Sequence, residues 1–200
     1  MLIMQTNRFV TLGVLLAATF ASAADGKPTL SQSPITSEQI EVYRAFLTSY
    51  TSGGKSLHFN LAKHTYPLDL SNEKRNDECL KGIDLDAAPP ESVIHEFDPK
   101  TPLRENITLV DPEEQERSVK ENDPSRTIRQ GQPVRQAVDR AFAAGLLTLS
   151  EVAFDKTHQY AVMSFRFVCG RKCGHGATLV FQKRHAQWKE LKRDCGGWVS

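Results

Sequence analysis

The segment Cys169-Gly-Arg-Lys-Cys173-Gly-His175-Gly sets two thiols and an imidazole between two apolar runs, and it is the part of the chain best equipped for chemistry. Three chemistries suit it. A disulfide needs only that the sulfurs meet. Zinc would need four ligands, here Cys169, Cys173 and His175 with Cys195 or His185, but the spacing is Cys-x3-Cys-x-His with no second paired knuckle. A redox dithiol works best as Cys-x-x-Cys at a helix start, whereas the flanking apolar runs put this motif in a hairpin. No metal and no cofactor is expected.

Register decides for the disulfide. With Gly170 to Lys172 as a hairpin loop, Cys169 stands opposite Cys173, Phe167 opposite His175, Phe165 opposite Ala177, Met163 opposite Leu179 and Ala161 opposite Phe181. Opposed residues of an antiparallel pair share a face, and a one-residue slip would break this matching of apolar side chains. Cross-strand Cα separations of ~4.5 to 5.5 Å lie within disulfide range. The remaining cysteines are Cys79 and Cys195, so the favoured pairs are Cys169 with Cys173 and Cys79 with Cys195.

Few other groups invite catalysis. Neither a Gly-x-Ser-x-Gly elbow nor a His-Glu-x-x-His pair occurs, and Gly53-Gly54-Lys55-Ser56 lacks the upstream glycine of a phosphate loop. His95, Glu96 and His158 would matter only in a cleft that gathers them, which is the route to the alternative reading of a small secreted hydrolase assembled from distant residues. No catalytic residue is assigned.

The net charge of +1 conceals two opposite halves. Residues 24–125 hold 11 Lys and Arg against 19 Asp and Glu; residues 126–200 hold 13 against 5. Arg171, Lys172, Lys183, Arg184, Lys189, Lys192 and Arg193 are therefore a candidate anion-binding patch on the hairpin sheet, for an anionic envelope component or a protein partner. Nucleic acid is not expected, because the chain reads as exported and only Trp188 and Trp198 accompany these charges.

Export is read from the first residues: Arg8, an apolar run from Phe9 to Phe20, then Ala21-Ser22-Ala23. That is a signal peptide with cleavage expected after Ala23, the run being shorter than the ~20 apolar residues of a membrane span. No transmembrane segment is expected after cleavage, and the destination is the periplasm or the outside of the cell. Residues 24–200 then make one α+β domain, with 89–133 rich in proline and expected to be loop-rich.

The elements that must position these groups follow from periodicity. Ile40, Tyr43, Phe46, Leu47 and Tyr50 mark a helix with Thr36 or Ser37 as N-cap; Val134, Ala137, Val138, Ala141 and Phe142 mark another between Pro133 and Gly145. Asp111-Pro112 reads as an N-cap followed by proline at the first helical position. Residues 106–111 and the alternation of Leu57, Phe59 and Leu61 suggest short strands. From Leu147 onward, four runs with short breaks predict an antiparallel meander of about four strands, with the helices packed on one of its faces.

The string Leu149-Ser-Glu-Val-Ala-Phe154, the hairpin Cys169-Gly-x-x-Cys-Gly-x-Gly176, Phe181-Gln-Lys183, Trp188 and the terminal Trp198-Val-Ser200 together resemble a group of uncharacterised secreted bacterial proteins. The resemblance spans about the last 50 residues. It implies an exported bacterial protein of the same fold and brings no activity, ligand or catalytic residue with it. The Arg171-Lys172 turn and Cys195 depart from the usual pattern.

Overall fold

A computed structural model describes residues 28–52, 58–71, 78–86 and 93–200. The leader at 1–23 and the Gly53-Gly54-Lys55-Ser56 segment lie outside the described residues. In chain order the described elements are β1 (Thr29–Leu30), α1 (Ser37–Tyr50), β2 (Phe59–Ala62), β3 (Val93–Ile94), β4 (Ile107–Val110), α2 (Pro112–Glu121), α3 (Pro124–Arg129), α4 (Val134–Ala144), β5 (Leu146–Leu149), β6 (Ala153–Phe154), β7 (Tyr160–Gly170), β8 (Cys173–Arg184), β9 (Gln187–Leu191) and β10 (Gly197–Val199).

The class is α+β, but the sheet is not a four-strand meander. It has eight strands in the order β10-β8-β7-β5-β2-β4, with β6 sharing the β5 edge of β7 and β9 sharing the β10 edge of β8. β2 runs parallel to both β4 and β5, whereas β5, β7, β8 and β10 are antiparallel neighbours. The sheet is mixed because the chain crosses over: α2, α3 and α4 lie between β4 and β5, and β2 inserts between those two strands.

The hairpin register is legible in the coordinates pair by pair, with Phe167 opposite His175, Phe165 opposite Ala177, Met163 opposite Leu179 and Ala161 opposite Phe181. At the tip the loop is shorter than a Gly170–Lys172 turn. Gly170 pairs with Cys173, leaving Arg171-Lys172 as the connection and an irregularity between Val168 and Gly170. Cys169 and Cys173 are bonded, with Cα atoms 5.0 Å apart, and so are Cys79 and Cys195, with Cα atoms 4.6 Å apart.

Helices cover both faces of the sheet, not one, and alternation along the strands shows how. Leu61, Leu147, Leu149, Met163, Phe165, Phe167 and Phe181 point to the face on which α1 lays Ile40, Val42, Tyr43, Phe46 and Leu47. Thr36 caps α1 with a full capping box, and the buried Tyr43 hydroxyl donates to the Ser150 carbonyl at 2.9 Å. The neighbouring residues Ala62 and Leu146 point the other way and pack on Val119 of α2.

This second face is covered in two portions. Toward the far end of the hairpin, Leu68, Leu70 and the Cys79–Cys195 bridge pack on Ala153, Val162 and Val180. Toward the Arg171-Lys172 end, α2 and α3 supply the cover. The proline-rich stretch thus holds two helices within its described residues: Pro112 and Pro124 open them, each preceded by an aspartate cap, Asp111 and Asp123.

α4 departs in part from its expected apolar stripe: Ala137 and Ala141 are buried and Phe142, though 45% exposed, packs its ring on Phe167 at 5.6 Å, while Val134 and Val138 stay 62% and 37% exposed.

Candidate functional site

Between the open part of the second sheet face and the α2–α3 pair lies a cavity of about 800 Å³. Its floor comes from alternate residues of three strands and their continuations: Leu146 and Thr148 of β5, Arg166, Val168 and Gly170 of β7, and Ala62 with His64 and Tyr66 beyond β2. Its wall is α2, through Pro112, Glu116, Val119 and Lys120, continued by Asp123, Arg126 and Arg129 of α3. Ile94 closes the upper end and Arg171 the lower.

The aliphatic side chains among these are Ala62, Ile94, Pro112, Val119, Leu146 and Val168. The cations are five. Lys120 is engaged by Glu116 at 3.9 Å, but among the described residues Arg126, Arg129, Arg166 and Arg171 make no ion pair with a carboxylate. Arg166 instead lies over the Tyr66 ring, its guanidinium carbon 4.4 Å from the ring centre.

One buried carboxylate holds the lower end together. Asp123 accepts the Arg126 backbone N–H at 3.0 Å with Oδ1, the N-cap bond of α3, and the Arg171 backbone N–H at 2.6 Å with Oδ2. These bonds, the one from Arg171 first, hold its carboxyl below the usual aspartate range. Gly170 permits the approach: a Cβ there would stand 2.7 Å from the Pro124 ring. Arg126 on the helix and Arg171 on the turn are thereby fixed on opposite sides of one opening.

Beside the cavity, the sheet face continues across β8 to β10. Arg166 pairs with Gly176 and Gly176 with Trp198, so all three stand on one face in a row. Trp198 lies against β8, where a Cβ at Gly176 would come within 2.6 Å of its indole nitrogen and a Cβ at Gly174 within 3.1 Å of its ring. The Gly-x-Gly after Cys173 is thus the seat of the terminal tryptophan.

The residues singled out by sequence divide between two places. Arg171 lines the cavity and Lys172 adjoins it in the turn. Lys183 and Arg184 stand at the other end of β8, eleven or more positions away and roughly 35 Å along an extended strand, while Lys189 pairs with Gln182 and Lys192 and Arg193 follow Leu191, the partner of Val180, back toward the middle of β8. Arg171 and Lys172 thus stand apart from Lys183 and Arg184 along β8. Lys183 is paired with Glu38 at 2.7 Å, and Arg193 donates to the carbonyls of Cys79 and Lys81 at 2.8 and 2.9 Å.

His95, Glu96 and His158 are likewise not gathered on one another. His158 pairs with Glu38 at 2.7 Å, and His64 meets Glu96 at 3.7 Å. His95 Nδ1 lies 2.9 Å from Glu151, a buried residue whose other oxygen accepts the Thr65 hydroxyl and, at 3.0 Å, the His95 backbone N–H. This network joins the 93–96 segment to β2 and the turn after β5. The Thr65 hydroxyl is directed to Glu151, so it is not poised on the imidazole as a nucleophile would be.

Both thiol pairs are oxidised, which leaves no described thiolate to ligate zinc. No helix among the described residues is long and apolar enough to cross a membrane.

Comparison with protein-family models, with curated proteins and with solved structures finds no match to this chain.

Sequence reasoning found Arg171 but not Arg126, Arg129 or Arg166. A signal for the first two was present: Asp123-Pro124 has the same cap-then-proline form as Asp111-Pro112, and it starts the short helix that carries them.

Proposed function

We propose that this chain is an exported, non-catalytic binding domain whose ligand is an anionic component of the cell envelope, held at the cavity between α2–α3 and the sheet. The observation that carries this reading is that Arg126, Arg129, Arg166 and Arg171 line one concavity and, among the described residues, none of them makes an ion pair, with Asp123 and Glu116 as the acids in the same lining. Guanidinium groups offer paired donors to carboxylate and phosphate, and a concave apolar wall strengthens their field.

Export is supported by the leader-like first residues and by two disulfides, which persist in oxidising compartments. Kinship with the secreted bacterial group rests on the residues of the C-terminal resemblance alone. Binding is favoured over hydrolysis because His95, Glu96 and His158 are not brought together: His158 pairs with Glu38 and Glu96 with His64.

The test is titration with lipopolysaccharide and with an acidic polysaccharide at rising salt. Binding should weaken as the screening length falls from ~10 Å near 0.1 M to ~3 Å near 1 M. Absence of binding to any anion at low salt would refute the reading.

A further inference from the structure

The aliphatic half of the cavity says more about the ligand than its charge does. An anion bound by arginines alone needs a shallow cationic surface. Here the arginines border a recess whose lining also includes Ile94, Pro112 and Val168 and the edges of the Ala62–Val119–Leu146 cluster, none offering a side-chain hydrogen bond, beside the polar His64, Thr65 and Thr148. Hydroxyls of a polysaccharide seated against this aliphatic part would lose water without replacement, at a cost of ~1–3 kcal/mol per unsatisfied group. A hydrocarbon would gain from the same burial.

The charge is also unevenly placed along the recess. Its length follows α2, whose ten residues rise roughly 15 Å from Pro112 to Glu121. Arg126, Arg129 and Arg171 all belong to the end where α3 meets the β7–β8 turn, tied there by Asp123. Pro112 and Ile94 belong to the other end, near the start of α2. Arg166 stands between, stacked on Tyr66.

We infer that the recess takes a single-chain amphiphile, its acyl chain lying along α2 over the sheet and its compact anionic head held by Arg126, Arg129 and Arg171. This rests on the anion-binding reading above and names the chemical class within it. The volume of about 800 Å³ falls in the range of sites that enclose one small ligand, ~300–1,000 Å³. One helix over one sheet forms a slot, which suits an extended chain better than a bulky ring system. Carboxylate and phosphate heads both match the arginine fork.

The experiment uses the purified protein with both disulfides intact. Trp198 fluorescence and calorimetry are followed against saturated fatty acids of increasing length, lysophosphatidic acid, an uncharged monoacylglycerol, inorganic phosphate and an acidic polysaccharide. Affinity should rise with chain length by up to about fourfold per methylene, as the ~0.8 kcal/mol of a buried methylene implies, until the chain outruns the recess. The uncharged monoacylglycerol should bind at least tenfold more weakly than the anion of equal chain length. Fatty acid binding without lysophosphatidic acid binding would identify a carboxylate head, the converse a phosphate head, and either supports the inference.

Two variants separate the halves of the site. Val168→Trp fills the floor from a position that is 37% exposed, so the fold should tolerate it; it should weaken amphiphiles by a factor that grows with chain length and exceeds tenfold for the longest, well beyond any loss for inorganic phosphate. Arg126→Glu should weaken every anion. Binding of phosphate or polysaccharide that depends on Arg126 but shows no chain-length dependence would overturn the amphiphile and leave the anion reading standing. Equal binding of charged and uncharged amphiphiles would overturn the anion reading itself.

Discussion

Asp123 and Arg171 are joined across 48 residues of chain by a 2.6 Å bond from the Arg171 backbone N–H to the Asp123 carboxylate, and that bond sets the lower opening of the cavity. Because the same carboxylate caps α3, removing it loosens helix and turn together. Asp123→Ala should cost about 2 kcal/mol, the upper part of the N-cap range, measured by urea denaturation. The loss should exceed that of Asp111→Ala, whose half-exposed carboxylate caps α2 and pairs with Lys63 at 2.8 Å, an ion pair close enough to solvent to be worth little.

The same residue predicts a pH effect of definite sign. The Asp123 carboxyl is held below its usual range, so the folded state favours the anion. Its contribution is complete above the ordinary aspartate value of ~3.9 and is lost as pH falls through the lower folded value. Stability curves should show a constant gap between Asp123→Asn and the wild type above about pH 4 that closes as pH falls below it. Curves that stay parallel across the acid range would remove the carboxylate from this role.

Gly170→Ala should act at the same joint without altering a charge. The new methyl would meet the Pro124 ring at 2.7 Å, and a proline ring cannot swing aside. We expect about 1–3 kcal/mol of destabilisation, the usual cost of overpacking, and weaker anion binding through displacement of α3. Thermal unfolding with and without ligand would separate the two effects.

The disulfides should differ in worth because they close loops of 116 and 4 residues. On the loop-entropy relation these correspond to about 5 and about 2 kcal/mol. Replacing Cys79 and Cys195 by alanine should therefore cost more than replacing Cys169 and Cys173, and should also free the segment that covers Ala153, Val162 and Val180. Equal losses in chemical denaturation would contradict this order.

What the chain declares and what it conceals divide along the range of the interactions involved. The β7–β8 pairing is legible because matching apolar residues recur with period two on both sides of a short turn, so only one register satisfies them. The α1 and α4 boundaries are legible from caps, proline and glycine. The insertion of β2 between β4 and β5 is not, since a four-residue strand such as Phe59–Ala62 names no partner and its pairings are separated by long crossovers. The separation of Arg171 and Lys172 from Lys183 and Arg184 is concealed for a related reason: residues close in sequence on a hairpin can stand at opposite ends when its strands are 11 and 12 residues long. The cavity needed α3 placed over β7, a contact made by Asp123 and Gly170 that no periodicity announces.

The central claim, that the arginines of the cavity and not the basic residues at the far end of the hairpin bind the ligand, is tested most directly by comparing two charge reversals of equal size. Calorimetric titration at low salt with one anionic ligand would be run on Arg126→Glu/Arg171→Glu and on Arg184→Glu/Lys189→Glu. The first pair should weaken binding by a hundredfold or more, as loss of two charge-assisted contacts of ~1.5–3 kcal/mol each implies, and the second should change it by less than fivefold. A large loss in the second pair with little in the first would place the site at the other end of β8 and contradict the account.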